Sequence, residues 1–182
     1  MSGIDESDDN ETPVLGPGFM LWQVTNGWQR LVRARLAPTG LTYVQIVLLA
    51  GLKDKLAGGA AVSQATLAQA VGADPMMTSQ VLRTLETAGL VKRERNPTDT
   101  RSRLLSLTPA GKTRLAAALP LITEVDREFF DVLGRREDRF LKGMRRLWRK
   151  QRLIGLAAEP APKPDMPAKS KRPVRRKTAP AA

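Results

Sequence analysis

The chain has 182 residues, 42% of them hydrophobic, which is enough for one domain of ordinary size with a buried core. It contains no cysteine, which excludes a disulfide framework and a thiol switch, and no histidine, which removes the commonest metal ligand and general base. Because the chain also lacks a Gly-rich phosphate loop and a recognisable pair of catalytic carboxylates, we expect no enzyme, no metal site and no cofactor.

The positive charge lies in the body of the chain. Residues 1–16 carry five acidic side chains and no basic one, whereas residues 159–182 carry seven Lys or Arg against two acids. The two ends cancel, so residues 17–158 account for the formal net charge of +12. A basic globular body favours nucleic acid as the partner. Both ends lack apolar periodicity, and we predict a disordered acidic N-terminus and a disordered basic Pro/Ala/Lys/Arg tail.

The first half of the body reads as two helices. Residues 19–36 place apolar side chains at helical spacing, and the stretch "APTG" ends that helix. Thr42 can cap the next one, "YVQIVLLAGLKDKL", which is nearly all apolar and therefore predicted to be buried. The N-terminus is acidic and polar, unlike a secretory signal, and no apolar run approaches the roughly 18 residues of a membrane span. We therefore expect a cytoplasmic protein with no membrane partner.

Two short helices and a hairpin follow. Ser63 is an N-cap candidate for "QATLAQAV", and Asp74-Pro75 opens a second helix that ends at Gly89. Residues 90–95 and 103–108 flank the turn "NPTDTR" and read as a β-hairpin. Thr108-Pro109 then opens a long helix, and a last helix follows with an apolar stripe among nine Lys or Arg side chains. That stripe predicts a dimer-forming helix, with contact to a membrane surface or flanking DNA as the alternative.

This order of elements is a winged helix-turn-helix flanked by long helices, so the predicted fold class is mainly α with a small β-hairpin. The stretch "VSQATLAQAVGADPMMTSQVLRTLETAGLVKRERNPTDTRSRLLSLTPAGK" (residues 62–112) resembles the DNA-binding core of the multiple-antibiotic-resistance regulator (MarR) family, which places that core at residues 61–108 of this chain. The resemblance rests on four motifs, which are "DP" at the start of the recognition helix, "LE…GLV" at its end, the wing "DTRSRLLSLT" and "TPAG" after the wing. The resemblance spans about residues 19 to 155. Gln80 stands where the family often has arginine, so the family's operator sequences do not transfer to this chain.

The resemblance implies an obligate homodimer that regulates transcription, usually by repression, with N- and C-terminal helices forming the dimer. It also implies that a small phenolic or aromatic effector releases the DNA. Trp22, Trp28 and Tyr43 are the candidate effector-pocket residues. The alternative for the two tryptophans is a place in the core or the dimer interface.

The second short helix is the candidate recognition helix. Thr78, Val81, Leu82 and Leu85 share its buried face. On the opposite face Gln80 can pair with adenine, and Arg83 can pair with guanine or a phosphate. A methionine can rest on a thymine methyl. The alternative is an ordinary solvated helix face. The predicted contacts of this helix are Met76, Met77, Ser79, Gln80, Arg83 and Thr84.

The wing supplies the remaining candidate contacts. Arg101 and Arg103 can reach a minor groove or its phosphates, and Asp99 can brace Arg101 or form a purely structural salt bridge. Ser63 and Gln64 begin a helix whose N-terminus favours a phosphate. The sequence thus predicts a cytoplasmic, nucleoid-associated homodimer that binds double-stranded DNA specifically. The alternative is a non-specific architectural nucleic-acid-binding protein, driven by charge.

Overall fold

The computed structural model of the protein describes residues 16–59, 61–97 and 102–157, with backbone alone over residues 152–157. These residues form helices and one two-stranded antiparallel sheet, which confirms the predicted fold class. Short 3-10 turns lie at Ala37–Thr39 and Asp131–Arg136. The regular elements are α1 Pro17–Leu36, α2 Tyr43–Ala57, α3 Gln64–Val71, α4 Pro75–Thr87, β1 Val91–Arg95, β2 Arg103–Leu107, α5 Pro109–Phe130 and α6 Glu137–Ala157.

The predicted helix caps are confirmed. Thr42 and Gln45 form a reciprocal capping box at the start of α2. Ser63 accepts the backbone N–H of Thr66 at 3.1 Å, and Asp74 accepts that of Met77 at 2.8 Å. Each cap satisfies a backbone donor that the first helical turn leaves without a partner, which stabilises the helix by about 1 kcal/mol. These local signals position α3 and α4 in the chain.

Helix α2 lies at the centre of the core. Its apolar side chains are buried against leucines of α3, α4, β2 and α5. A fully buried leucine contributes roughly 1.5–3 kcal/mol relative to an exposed one, so this cluster holds the helix-turn-helix in place. A Cβ atom on Gly51 would lie 2.5 Å from the side chain of Val71, so the missing side chain lets α2 and α3 approach closely. The central residues are Ile46, Leu48, Leu49, Leu52, Leu67, Leu82, Leu85, Leu105 and Leu115.

Helix α1 is tied to α5. The indole Nε1 of Trp28 donates to Asp126 Oδ1 at 2.7 Å, across part-buried surface. Arg35 forms exposed ion pairs with Glu124 at 3.1 Å and Glu128 at 2.9 Å. Exposed ion pairs contribute little free energy, so the indole hydrogen bond and the packing around it carry most of this attachment.

The sheet has an additional short partner that the sequence did not predict. Strands β1 and β2 pair in antiparallel register from Val91 opposite Leu107 to Arg95 opposite Arg103. On the other side of β2, the N–H of Leu105 donates to the carbonyl of Val62 at 2.8 Å, and Ser63 forms a bridge with Leu104. Two residues are too few for an alternating pattern to appear. This pairing fixes the first turn of α3 against the wing.

The junction between α4, the sheet and α5 depends on a glycine. Thr108 donates its hydroxyl to the carbonyl of Gly89 at 2.8 Å and accepts the N–H of Gly111 at 2.9 Å. A Cβ atom on Gly111 would lie 2.1 Å from the carbonyl oxygen of Leu90. The residues "TPAG" therefore cap α5 and let its first turn rest on the backbone that follows α4.

Helix α6 belongs to a second unit of the chain. The first compact unit ends at Gly134 and the second begins at Arg135. Gly134 has a φ of 48°, in the region that favours glycine. Within the described residues no single helix is long and apolar enough to cross a membrane, although α1 and α2 meet those criteria as a pair joined at a 75° bend.

Candidate nucleic-acid interface

Helix α4 presents one polar face to solvent. Thr78, Leu82 and Leu85 are fully buried, and the hydroxyl of Thr78 donates to the carbonyl of Asp74 at 2.8 Å. Met76, at the start of the helix, is 72% exposed. Of the remaining predicted contacts, Met77 and Ser79 are half-buried, and Gln80, Arg83 and Thr84 are exposed. The structure thus gathers all six predicted residues of this helix on or beside one accessible face.

A concave surface lies beside that face, between α4, the wing and the start of α3. One part of it encloses about 410 Å³ and contains side chains of α4, β1 and β2. The adjoining part encloses about 320 Å³ and reaches the N-terminus of α3. We call the two parts together the basic cleft. Its polar and charged lining consists of Ser63, Gln64, Arg83, Glu86, Arg93, Ser102 and Arg103. Four predicted site residues from three elements therefore meet in one cleft.

Arg93 is a cleft residue that the sequence analysis missed. It lines both parts of the cleft, and its side chain is 14% exposed. Its Nη1 lies 3.6 Å from Glu86 Oε2. A signal was present, because alternation along β1 places Arg93 on the same face as the buried Val91. An arginine at an inward-facing strand position needs a partner or a function.

Part of the predicted wing lies outside the described residues, including Asp99 and Arg101. Arg103 begins β2 and is exposed. The base of the wing is closed by hydrogen bonds from Asn96 to Ser102, with the side-chain amide donating to the hydroxyl at 2.8 Å. The base therefore holds Arg103 at the mouth of the cleft.

The structure separates Trp22 from the other two aromatic residues that were predicted to line one pocket. Trp28 and Tyr43 contact each other edge to face, with ring centroids 4.7 Å apart. Trp22 is 61% exposed and stacks on Phe19 instead. A groove of about 420 Å³ includes Tyr43 and Arg33 in its otherwise largely apolar lining, which contains neither tryptophan. Tyr43 thus lies at a cavity, whereas Trp28 packs against the core.

Burial raises the pKa of Tyr43 above its ordinary value of 10.0, and the nearby charge of Asp126 raises that pKa further. Since Tyr43 is the only tyrosine in the chain, its ionisation can be followed by ultraviolet absorbance. We expect a titration midpoint above 10.0 in the folded protein. Asp126→Asn should lower the midpoint partly, because burial is the larger cause.

The same shift has a consequence for stability. The folded state holds the phenolic proton more tightly than the unfolded state, so the contribution of Tyr43 to stability is complete below the unfolded pKa. It is lost as the pH rises through the folded pKa. A midpoint at or below 10.0 in the folded protein would contradict the described burial of this ring.

A helix-turn-helix followed by an antiparallel wing, with an arginine-lined cleft between them, defines a winged helix-turn-helix protein. Comparison with known proteins agrees with this architecture. The model of the MarR family matches residues 41–102. The chain is 44% identical, over 135 residues, to the uncharacterized HTH-type transcriptional regulator YdcH of Bacillus subtilis, across 74% of this chain and 91% of that protein. The chain belongs to the MarR family of transcriptional regulators, which confirms the predicted resemblance.

Solved structures are similar over most of their length. A probable transcriptional regulator from Pseudomonas aeruginosa has a TM-score of 0.61 and 29% identity, across 70% of this chain and 92% of that one. The transcriptional repressor CouR, solved bound to a 23-mer DNA duplex, has a TM-score of 0.62 and 26% identity, across 86% of this chain and 100% of that one.

Proposed function

We propose that this chain is a homodimeric, sequence-specific repressor of transcription that binds a near-palindromic DNA operator. The observation that carries the proposal is the placement of the exposed face of α4 next to the basic cleft. A helix with such a face fits a major groove, while the cleft and wing follow the phosphates beside it. The similarity to CouR, which is bound to a DNA duplex, supports the same reading.

Each candidate residue has a role within this proposal. Gln80 pairs with an adenine edge and Arg83 with a guanine edge, while Met76 or Met77 rests on a thymine methyl. Ser79 and Thr84 lie beside them and contact bases or phosphates. Phosphates are bound at the first turn of α3, and the wing arginines enter a minor groove. Ser63 and Gln64 form the first of these groups and Arg101 and Arg103 the second, while Asp99 is proposed to brace Arg101.

Two exposed apolar surfaces support a homodimer. Helix α1 exposes apolar side chains near its start, and α6 exposes others along its stripe. Such surfaces favour association with a second copy, since a two-fold dimer also presents two recognition helices to a palindrome. The exposed residues are Met20, Leu21, Trp22 and Val24 of α1, and Met144, Leu147 and Trp148 of α6.

The groove beside Tyr43 supports an effector site. Its apolar lining suits an aromatic ring, and Arg33 offers a cation to a carboxylate or phenolate. The proposed ligand is a small aromatic or phenolic acid whose binding releases the DNA. Tyr43 lines this groove, and Trp28 contacts its ring, whereas neither Trp28 nor Trp22 lines the groove itself.

The ends of the chain and its cellular place complete the proposal. Residues 1–16 and 159–182 are proposed to be disordered extensions of a body spanning residues 17–158. The basic tail adds affinity for every DNA sequence, because its cations release counterions from phosphates without reading bases. Apart from Gly16, both extensions lie outside the described residues. We place the protein in the cytoplasm, associated with the nucleoid.

The specificity of α4 can be tested with two single variants. We expect wild-type protein to prefer a site selected from random DNA over a scrambled duplex by roughly 10³ or more at physiological salt. Gln80→Ala and Arg83→Ala should each cost on the order of 1–3 kcal/mol, concentrated at particular base pairs. The measurement is equilibrium binding to the selected site and to its single-base variants.

Lys53→Ala serves as the control, because this exposed lysine of α2 belongs neither to α4 nor to the cleft. It should leave base preference unchanged. Equal competition by selected and scrambled DNA would contradict the specific-repressor proposal. It would favour the alternative of a non-specific architectural nucleic-acid-binding protein. That alternative predicts a steep salt dependence without sequence preference.

A further inference from the structure

Arg93 holds an incompletely satisfied charge in the middle of the cleft. Its Nε is buried and, among the described residues, donates to no acceptor. The contact with Glu86 is an ion pair at 3.6 Å, which is too long for a hydrogen bond. Leaving a buried donor without an acceptor is costly, so the guanidinium retains unused capacity to bind an oxyanion.

The surroundings of Arg93 suit one phosphate group. Arg83 and Arg103 share one part of the cleft with it, and Glu86 is the acidic residue in that lining. The other part brings Arg93 and Arg103 to the first turn of α3. Three guanidinium groups against one carboxylate leave an excess of positive charge, and a guanidinium fork matches phosphate geometry.

We propose that Arg93 is a DNA-backbone contact, which binds a phosphate seated between the wing and the start of α3. Glu86 holds the guanidinium in the free protein and competes with the phosphate for it. On binding, the side chain leaves Glu86 and directs its fork at the phosphate oxygens. This inference rests on the proposed DNA-binding function and adds to it one residue and one competing carboxylate.

Glu86 is suited to hold the Arg93 guanidinium weakly in the free protein. Its side chain is 44% exposed, while that of Arg93 is 14% exposed. An ion pair with one solvated partner and no hydrogen bond is weak, so exchanging the carboxylate for a phosphate costs little. The free protein thus holds Arg93 close to the position in which it binds phosphate, and only a weak ion pair with Glu86 has to break.

The test uses the full-length protein and a random-sequence duplex of about 30 base pairs, because a phosphate contact is independent of sequence. Dissociation constants are measured between about 50 and 200 mM salt. Arg93→Ala should weaken binding about tenfold and make the slope of log K against log salt less steep by about one. Arg93→Lys should keep the slope but bind less tightly, because it lacks the fork. Glu86→Gln should strengthen binding several-fold.

Lys92→Ala is the matched control, because it removes one positive charge from the adjacent position on β1, which is exposed and outside the cleft lining. It should leave the slope within experimental error of wild type. Thermal unfolding of every variant shows whether a loss of binding reflects a loss of folding.

The outcomes distinguish a failure of the inference about Arg93 from a failure of the DNA-binding proposal on which it rests. If wild-type protein binds the duplex but Arg93→Ala keeps its slope and lowers only the melting temperature, Arg93 is structural and the inference fails. Weaker binding by Glu86→Gln would equally overturn it, since Glu86 would then help and not compete. If wild-type protein does not bind the duplex at all, the DNA-binding proposal itself fails.

Discussion

Replacing Met144 and Leu147 together with glutamate is expected to convert the protein to monomers and to weaken operator binding by about 10²–10⁴-fold. Met144 is 40% exposed and Leu147 is 64% exposed on the apolar stripe of α6. In the proposed dimer these side chains are buried against a second copy, where each contributes roughly 1.5–3 kcal/mol. Carboxylates at the same positions would be desolvated without partners, which is far more costly than the lost apolar contact. A monomer then binds one half-site of the operator and loses the affinity that a dimer gains by binding both half-sites at once.

Sedimentation equilibrium and binding to a selected palindrome check this result. Arg146→Gln with Arg149→Gln is the control, since it lowers the net charge by the same amount on the polar side of the same helix. The control should remain dimeric, with a binding loss limited to the general effect of charge. A glutamate variant that stays dimeric and binds normally would exclude this stripe of α6 from the dimer interface.

The second large effect concerns Gly111. Alanine at this position would put its Cβ atom 2.1 Å from the carbonyl oxygen of Leu90. The obstacle is backbone, which cannot rotate away as a side chain can, so the start of α5 must move away from the segment that joins α4 to β1. Overpacking of this kind costs typically about 1–3 kcal/mol. We expect Gly111→Ala to lower the free energy of unfolding by an amount in or above that range, measured by urea denaturation.

Gly27→Ala provides the matched comparison. A Cβ atom on Gly27 in α1 would meet Phe129 at 3.8 Å, an ordinary contact. Alanine there should stabilise the protein by up to about 1 kcal/mol, because it is the better helix former. If both variants shift stability in the same direction, the close approach at Leu90 does not control the junction.

Much of the local architecture could be predicted because its signals lie within a few residues of each other. The caps at Thr42, Ser63, Asp74 and Thr108 each act on a backbone N–H three positions later. The two faces of α4 follow from helical spacing, and the hairpin follows from apolar runs around a turn. The family resemblance likewise rests on one continuous stretch, residues 62–112.

Contacts between distant segments could not be predicted in this way. Trp22 and Trp28 have similar local settings, yet one is exposed and the other packs on Tyr43 and donates to Asp126, 98 positions away. Val62 joins β2 through a single hydrogen bond. In each case the packing of α1, α2 and α5 or of the sheet decides the outcome, and no local pattern encodes it.

By itself the sequence determined where the capped helices begin, which face of α4 is exposed and the basic character of the body, because these depend on local hydrogen bonds, periodicity and composition. Only the tertiary structure decided that Arg93 faces Glu86, that Arg83 and Arg103 share its cleft, and that Gly111 must be glycine. Those relations are set by how closely α4, the wing and α5 pack, and burial then determines which polar groups find partners.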